Sequence, residues 1–205
     1  MLARLRKAYL DLSRERREML RAYNKTIEAW ARATEFRDQE AEGHSLRCAE
    51  LTVALAKSMG INGEKLVHMR RGALLHDIGK IAIPDRILLK KGRLTSQQLA
   101  EMMQHPVRAK EFIEKVELLG PALDIPYSHH ERWDGSGYPQ GLKGETIPIA
   151  ARIFAVVDAW DALTSDRPYR PAVGFNEALK FIESQSGKQF DPDVARAFIK
   201  LMGRK

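Results

Sequence analysis

Apolar residues along this chain recur at three- and four-residue steps, the period of a helix with one buried stripe, and no run alternates convincingly with the period of two that a strand requires. Helical patterning or a start signal marks residues 42–59, 63–76, 95–103, 106–116, 121–130, 148–163, 175–183 and 192–202. Thr95 and Asp191 stand where helix caps are needed, and Pro106, Pro148 and Pro192 stand near first turns, where a missing N–H costs nothing. Gly60, Gly92, Gly120 and Gly174 mark stops or turns. The pattern predicts an all-α bundle with its functional site between helices.

Ahead of these segments, Leu5, Tyr9, Leu12, Arg16, Met19, Tyr23, Thr26 and Trp30 fall at alternating four- and three-residue steps. This is the seam of a coiled coil, imperfect at Arg16 and Thr26. We expect residues 1–36 to form an extended N-terminal helical arm and residues 37–205 to form the domain proper. The arm is expected to pair in parallel with that of a second copy, giving a homodimer; the alternative is packing over an apolar face of its own domain.

Composition narrows the function classes. The net charge is +7, but residues 1–37 hold ten Lys or Arg against five Asp or Glu, so five of the seven excess positive charges lie in the arm. The arm's charges are mixed in sign and it has no aromatic stacking surface, which favours a solvated helix face over polynucleotide binding. No stretch of 18 apolar residues and no signal peptide is present, so the expectation is a soluble cytoplasmic protein without membrane insertion. Cys48 is the only cysteine, which excludes an internal disulfide, and one turn after His44 it reads as a small buried helix residue.

The chemistry lies with the histidines. Five of six, His44, His76, His105, His129 and His130, stand in ligand-like contexts. His76 and Asp77 occupy the end of the apolar stretch from Gly72 to Lys80, where core side chains belong, and Asp158 interrupts the apolar helix beginning at Ile149. Buried carboxylates need compensation, and a cation supplies it. His129 and His130 run directly into a turn, Trp133-Asp134-Gly135-Ser136-Gly137-Tyr138-Pro139, whose glycines allow close backbone approach.

With these segments in order, the sequence resembles the HD-GYP family of cyclic-dinucleotide phosphodiesterases, a branch of the HD-domain metal-dependent phosphohydrolases. The resemblance runs from about Arg37 to Leu201, through Glu40 to His44, His76-Asp77-Ile78-Gly79-Lys80, His105-Pro106, His129 to Pro139 and Asp158 to Arg170. It implies an HD-domain helical bundle and hydrolysis of cyclic di-GMP to linear pGpG, and perhaps on to GMP. It further implies that His44, His76, Asp77 and Asp158 hold one ion and that Asp77, His105, His129 and His130 hold a second, with Asp77 bridging. Glu40 stands where the family has a third ligand site, and spacing of four would put it on one helix face with His44. The resemblance favours iron, with manganese next, and the mixed imidazole and carboxylate donors suit transition metals better than magnesium or calcium.

Lys80 follows Asp77 by three residues, so a continuing helical turn sets its ammonium over the same ions, ready to steady a phosphate or protonate a leaving oxygen. The resemblance places Gly137, Tyr138, Asp161, Arg167 and Arg170 on the substrate side, and forked guanidiniums match phosphate oxygens. Residue chemistry alone supports a metal-dependent phosphohydrolase, leaving other phosphoesters open, and a cyclic-dinucleotide-sensing adaptor using the same pocket is the reading from another class.

Overall fold

The computed structural model describes residues 1–166 and 171–203. Among these, ten α-helices follow one another: α1 (Leu2–Asp38), α2 (His44–Ser58), α3 (Glu64–Leu74), α4 (Asp85–Leu88), α5 (Ser96–Met102), α6 (His105–Ile113), α7 (Asp124–Ser128), α8 (Ile149–Thr164), α9 (Phe175–Ser184) and α10 (Pro192–Met202). The only β pairing among the described residues is an isolated bridge between Ser186 and Phe190, so the all-α expectation holds.

Local chemistry sets the boundaries. Thr95 closes a capping box with Gln98 at the start of α5, and the Asp191 side chain accepts from the N–H groups of Asp193 and Val194 at the start of α10. Pro148 caps α8 rather than entering it. The helix expected over residues 121–130 is shorter: Pro121 sits in a 3-10 turn (Glu117–Ala122), and only Asp124–Ser128 is α-helical. The helix expected over residues 63–76 ends at Leu74, so His76 and Asp77 lie in the turn leading to a second 3-10 segment, Ile78–Ala82.

α8 is the central element, with Ala151, Ile153, Phe154, Val156 and Val157 buried against α2, α7, α9 and α10. α2 lies across α3 and α8, and Cys48, Ala49, Leu55 and Ala56 bury there. Apolar burial of this kind is worth about 25 cal/mol per Å² removed from water, and the continuous cluster from Ile27 to Met202 supplies the rigid frame.

The N-terminal arm departs from its expected division at residue 36. α1 is continuous through Asp38, and its second half belongs to the domain: Ile27 and Ala31 are buried, and Tyr23 and Trp30 pack against the same core. Two residues of the seam are therefore consumed in cis, which rules out a parallel coiled coil along its whole length. The helix-face argument for Glu40 also fails, because Gln39 and Gly43 both adopt left-handed backbone and residues 40–43 form a turn between α1 and α2.

Candidate metal centre

Each histidine ligand candidate stands at a helix end. His44 opens α2 and His105 opens α6, while His76 and His129 follow the last turns of α3 and α7. α2 has no capping side chain of its own. Glu35, buried on α1, replaces it by accepting from Ser45 N at 2.6 Å and Gly43 N at 3.2 Å. That places the first ligand at the junction of two helices.

Four imidazoles share one arrangement, in which Nδ1 is spent on an acceptor and Nε2 is aimed inward. His44 Nδ1 donates to Asp161 Oδ2 at 2.7 Å, His76 Nδ1 to Ala73 O at 2.9 Å, His105 Nδ1 to Met102 O at 2.9 Å and His129 Nδ1 to Ile125 O at 3.1 Å. An outer acceptor on Nδ1 makes Nε2 the ligand position, which is how metal-ligating histidines are held. Burial lowers His44 and His76, but the carboxylates facing Nε2 raise both above their ordinary pKa, so there an ion would take the place of the Nε2 proton. His130 completes the group by stacking on Tyr138, with ring centroids 4.7 Å apart.

Asp77 sits between the two halves. Its Oδ2 is 3.0 Å from His76 Nε2, while its Oδ1 is 3.4 Å from His105 Nε2 and 3.8 Å from His129 Nε2. His44 Nε2 lies 3.4 Å from Asp158 Oδ1. Asp77 is thus within reach of His76, His105 and His129, His44 lies beside Asp158, and Glu40, expected at a third ion, lines a small cavity with Asp38, His44 and Asp77.

The donor set fits a cation on an internal criterion. His105 Nε2 and His129 Nε2 approach to 3.3 Å although both Nδ1 atoms face carbonyl oxygens, so two lone pairs are opposed. Moving a proton to either Nε2 only transfers the conflict to a carbonyl. A charged imidazolium does not resolve it, because burial holds His129 well below its ordinary pKa and lowers His105 as well, against the opposing pull of Asp77. A shared cation removes the repulsion outright.

The acids are correspondingly ionised. Burial pushes Asp77 upward, yet His76, Lys80 and His105 outweigh it and hold the carboxyl well below its ordinary value. Asp158 and Asp161 are raised by burial but brought down to about 2, chiefly by hydrogen bonding to His44. Cys48 Sγ lies 3.6 Å from His44 Nδ1. Burial raises the Cys48 thiol to about 12, leaving a neutral core residue.

Lys80 lies in the 3-10 segment, its Nζ 2.7 Å from Asp77 Oδ2 and 2.9 Å from Asp38 Oδ2. Burial would lower its pKa, but these two carboxylates overcompensate and keep the ammonium charged. Gly79 makes the segment possible: a Cβ there would run into the backbone oxygen of His105 and stand 2.6 Å from Ala109 N. Only glycine lets this turn lie directly on α6.

The turn after His130 is folded as tightly. A Cβ on Gly137 would strike Arg132 N and His130 O, and Gly135 has a positive φ of 85°. Tyr138 N donates to His130 O at 3.2 Å, and one face of the Tyr138 ring is taken by His130. Asp161, placed by resemblance on the substrate side, has both carboxylate oxygens engaged: Arg47 Nε at 2.7 Å on Oδ1, and His44 Nδ1 at 2.7 Å and Arg47 Nη2 at 2.9 Å on Oδ2. Arg167 and Arg170 lie outside the described residues.

Four functional side chains escape the sequence reading. Asp38 had a legible signal, since it continues the buried stripe Ile27, Ala31 and Thr34 at helical steps. Glu35, Arg47 and Glu131 had none, because each acts on backbone or side chains revealed by folding. Glu131 is 3% exposed, and its carboxylate accepts from Gln140 N at 2.7 Å and Leu142 N at 2.9 Å, pinning the far side of the glycine turn.

Comparison with known proteins gives the family. The family model described as HD domain matches residues 13–194. A cyclic di-GMP phosphodiesterase of Thermotoga maritima is 44% identical over 170 residues, covering 82% of this chain and 46% of that protein. The cyclic di-GMP phosphodiesterase response regulator RpfG of Xanthomonas campestris is 40% identical, covering 85% of this chain and 47% of that protein. A 3'3'-cGAMP-specific phosphodiesterase 2 of Vibrio cholerae is 36% identical, over 82% of this chain and 33% of its own length. The chain therefore spans about half or less of the curated relatives it matches. Among solved structures, a cyclic GMP-AMP phosphodiesterase of V. cholerae (V-cGAP3) superposes with a TM-score of 0.67 at 20% identity, covering 86% of this chain and 48% of that one. The HD domain of L. monocytogenes PgpH in complex with cyclic di-AMP gives 0.61 at 18% identity, covering 86% and 93%. These two likenesses concern the fold. With its helical frame, its ordered His and Asp motifs and a family match spanning most of its length, the chain belongs to the HD-domain family and carries the motifs of its HD-GYP branch.

Proposed function

We propose that this chain is a metal-dependent phosphodiesterase that opens cyclic di-GMP to linear pGpG, acting in the cytoplasm. The observation that carries the reading is Asp77, with one oxygen turned to His76 and the other to His105 and His129. His44, His76, Asp77 and Asp158 would hold one ion and Asp77, His105, His129 and His130 a second, with Glu40 offering a third position. Iron is the first candidate and manganese the next. When bound, the ions polarise phosphoryl oxygens and bring water toward hydroxide near neutral pH.

The chain's own residues do the rest. Asp161 keeps the His44 proton on Nδ1 and is itself braced by Arg47. Lys80, held charged between Asp77 and Asp38, is a proton donor for the leaving alkoxide. Gly137 and Tyr138 form a lip beside His130, and Arg167 and Arg170 supply guanidiniums for the substrate phosphates. Among the described residues no helix is long and apolar enough to cross a membrane. Two copies of the chain pair through α1.

The test is anaerobic incubation of ferrous- or manganese-loaded protein with cyclic di-GMP, following pGpG and GMP by chromatography beside an Asp77→Ala control. Product lost in the control supports the reading. No product from fully metallated protein sinks it, and binding without turnover would point to a nucleotide sensor instead.

A further inference from the structure

Two consecutive residues at the end of α1 hold Lys80 by both its ends. Arg37 donates to Lys80 O and to Ile83 O, each at 2.7 Å, which fixes the backbone of the 3-10 segment. Asp38 Oδ2 accepts from the Lys80 ammonium at 2.9 Å. The ammonium has a second acceptor, Asp77 Oδ2, at 2.7 Å. That oxygen also faces His76 Nε2 at 3.0 Å, so the Lys80 ammonium and an ion held by His76 and Asp77 lay claim to the same atom. Two cations at one buried oxygen repel each other strongly, because little water screens them.

We propose that Asp38 is a positioning residue: once ions occupy Asp77, it holds the Lys80 ammonium beside the centre, so that the cation neither competes for Asp77 nor leaves the reach of the departing oxygen. Its setting suits that task. The turn after α1 brings Glu40 N back onto Asp38 Oδ1 at 3.1 Å, which orients the carboxylate independently of Lys80. Each Asp38 oxygen then carries one donor, and at 5% exposure the side chain has little water to replace either. When Asp77 turns to the ions, the ammonium keeps Asp38 and so keeps its place.

Without Asp38 the ammonium falls back on Asp77, and a carboxylate needed by the ions is held by the chain's own cation. Asp38→Asn creates this state with little change of shape. The amide has the size of the carboxylate, but one of its two ends is a donor, so it cannot accept from both Glu40 N and Lys80 Nζ. The harm done by the substitution then comes from Lys80, and removing Lys80 as well should undo it.

The inference rests on the metal-dependent reading proposed above, and its first test needs no turnover. Manganese affinity is measured by competition titration for the parent chain, Asp38→Asn, Lys80→Ala and the double variant. Asp38→Asn is expected to bind about 10–100-fold more weakly than the parent, and the double variant to recover the affinity of Lys80→Ala. Recovery on deleting a cation marks that cation as the competitor. A residue that only shapes the fold, or one that itself ligates an ion, leaves the double variant weaker than Lys80→Ala, and that result overturns the proposal; so does an Asp38→Asn chain that binds as tightly as the parent. The double variant carries no buried ammonium in need of a partner, so its comparison with Lys80→Ala decides the matter even if Asp38→Asn fails to fold. Turnover of cyclic di-GMP at saturating manganese is the second measurement. Asp38→Asn and Lys80→Ala should each lower kcat, and the double variant should match Lys80→Ala, because residues that act as a unit are not additive. Losses that multiply overturn the proposal. A parent chain without turnover overturns the phosphodiesterase reading instead, and the titration still decides the role of Asp38.

Discussion

Asp161 stands one imidazole ring behind the candidate ligand atom of His44, accepting a hydrogen bond from His44 Nδ1 while Arg47 holds it in place. Outer partners of this kind set ring orientation and donor strength, and losing one typically costs about 10–100-fold in metal affinity or activity. Asp161→Asn should therefore weaken metal binding by about that factor in a competition titration, with the fold intact by circular dichroism; unchanged affinity would remove Asp161 from the ligand's support. Lys80→Ala separates proton donation from structure. Turnover should fall by about 10²–10⁴ while metal content stays unchanged, and loss of metal instead would make Lys80 a structural cation for Asp77. At this scale the sequence was readable wherever a residue contradicted its surroundings. His76, Asp77 and Asp158 were polar where core belonged, whereas Glu131 and Arg47 looked like ordinary surface charges because their acceptors and donors are distant or lie on folded backbone.

Helices and turns determine how well the donors are aimed, and the 3-10 segment after Asp77 is the most constrained of them. Gly79 lies against the backbone of His105 and Ala109 on α6, so Gly79→Ala must push apart the turn carrying Lys80 and the helix opening with His105. Overpacking against backbone costs about 1–3 kcal/mol or more. In a chain of this size that lowers Tm by roughly 2–4 °C for each kcal/mol, and calorimetry should show the drop. A Gly79→Ala chain as stable as the parent would mean that the contact relaxes easily. The helices themselves were legible from periodicity, with Thr95 and Asp191 acting as the caps they promised. The turns were not: the break at residues 39–43 depends on left-handed Gln39 and on Glu35 capping α2 from another helix, neither of which leaves a periodic trace.

For the whole molecule, the candidate metal centre and the fold are one problem, because its imidazoles and acids come from α2, the α3 turn, α6, the end of α7 and α8. Ions that bind only the folded chain stabilise it by mass action, about 2.7 kcal/mol at a hundredfold excess over Kd. Manganese should raise Tm, chelation should reverse the gain, and Asp77→Ala should abolish it; an identical shift in that variant would place the stabilising ion elsewhere. The last turns of α1 belong to the same problem. Glu35 caps α2, Arg37 donates to Lys80 O and Ile83 O, and Asp38 pairs with Lys80. A fragment beginning at residue 37 keeps every histidine yet lacks the carboxylate that seats the first of them, so it should bind manganese far more weakly than one beginning at residue 21. Equal affinity would show that α2 starts correctly unaided. The consequence reaches to how such a unit can be recombined with others: a graft that respects the chemistry has to join between Met19 and Tyr23, where α1 passes from solvent to core, and not at the motif where the first ligands become recognisable.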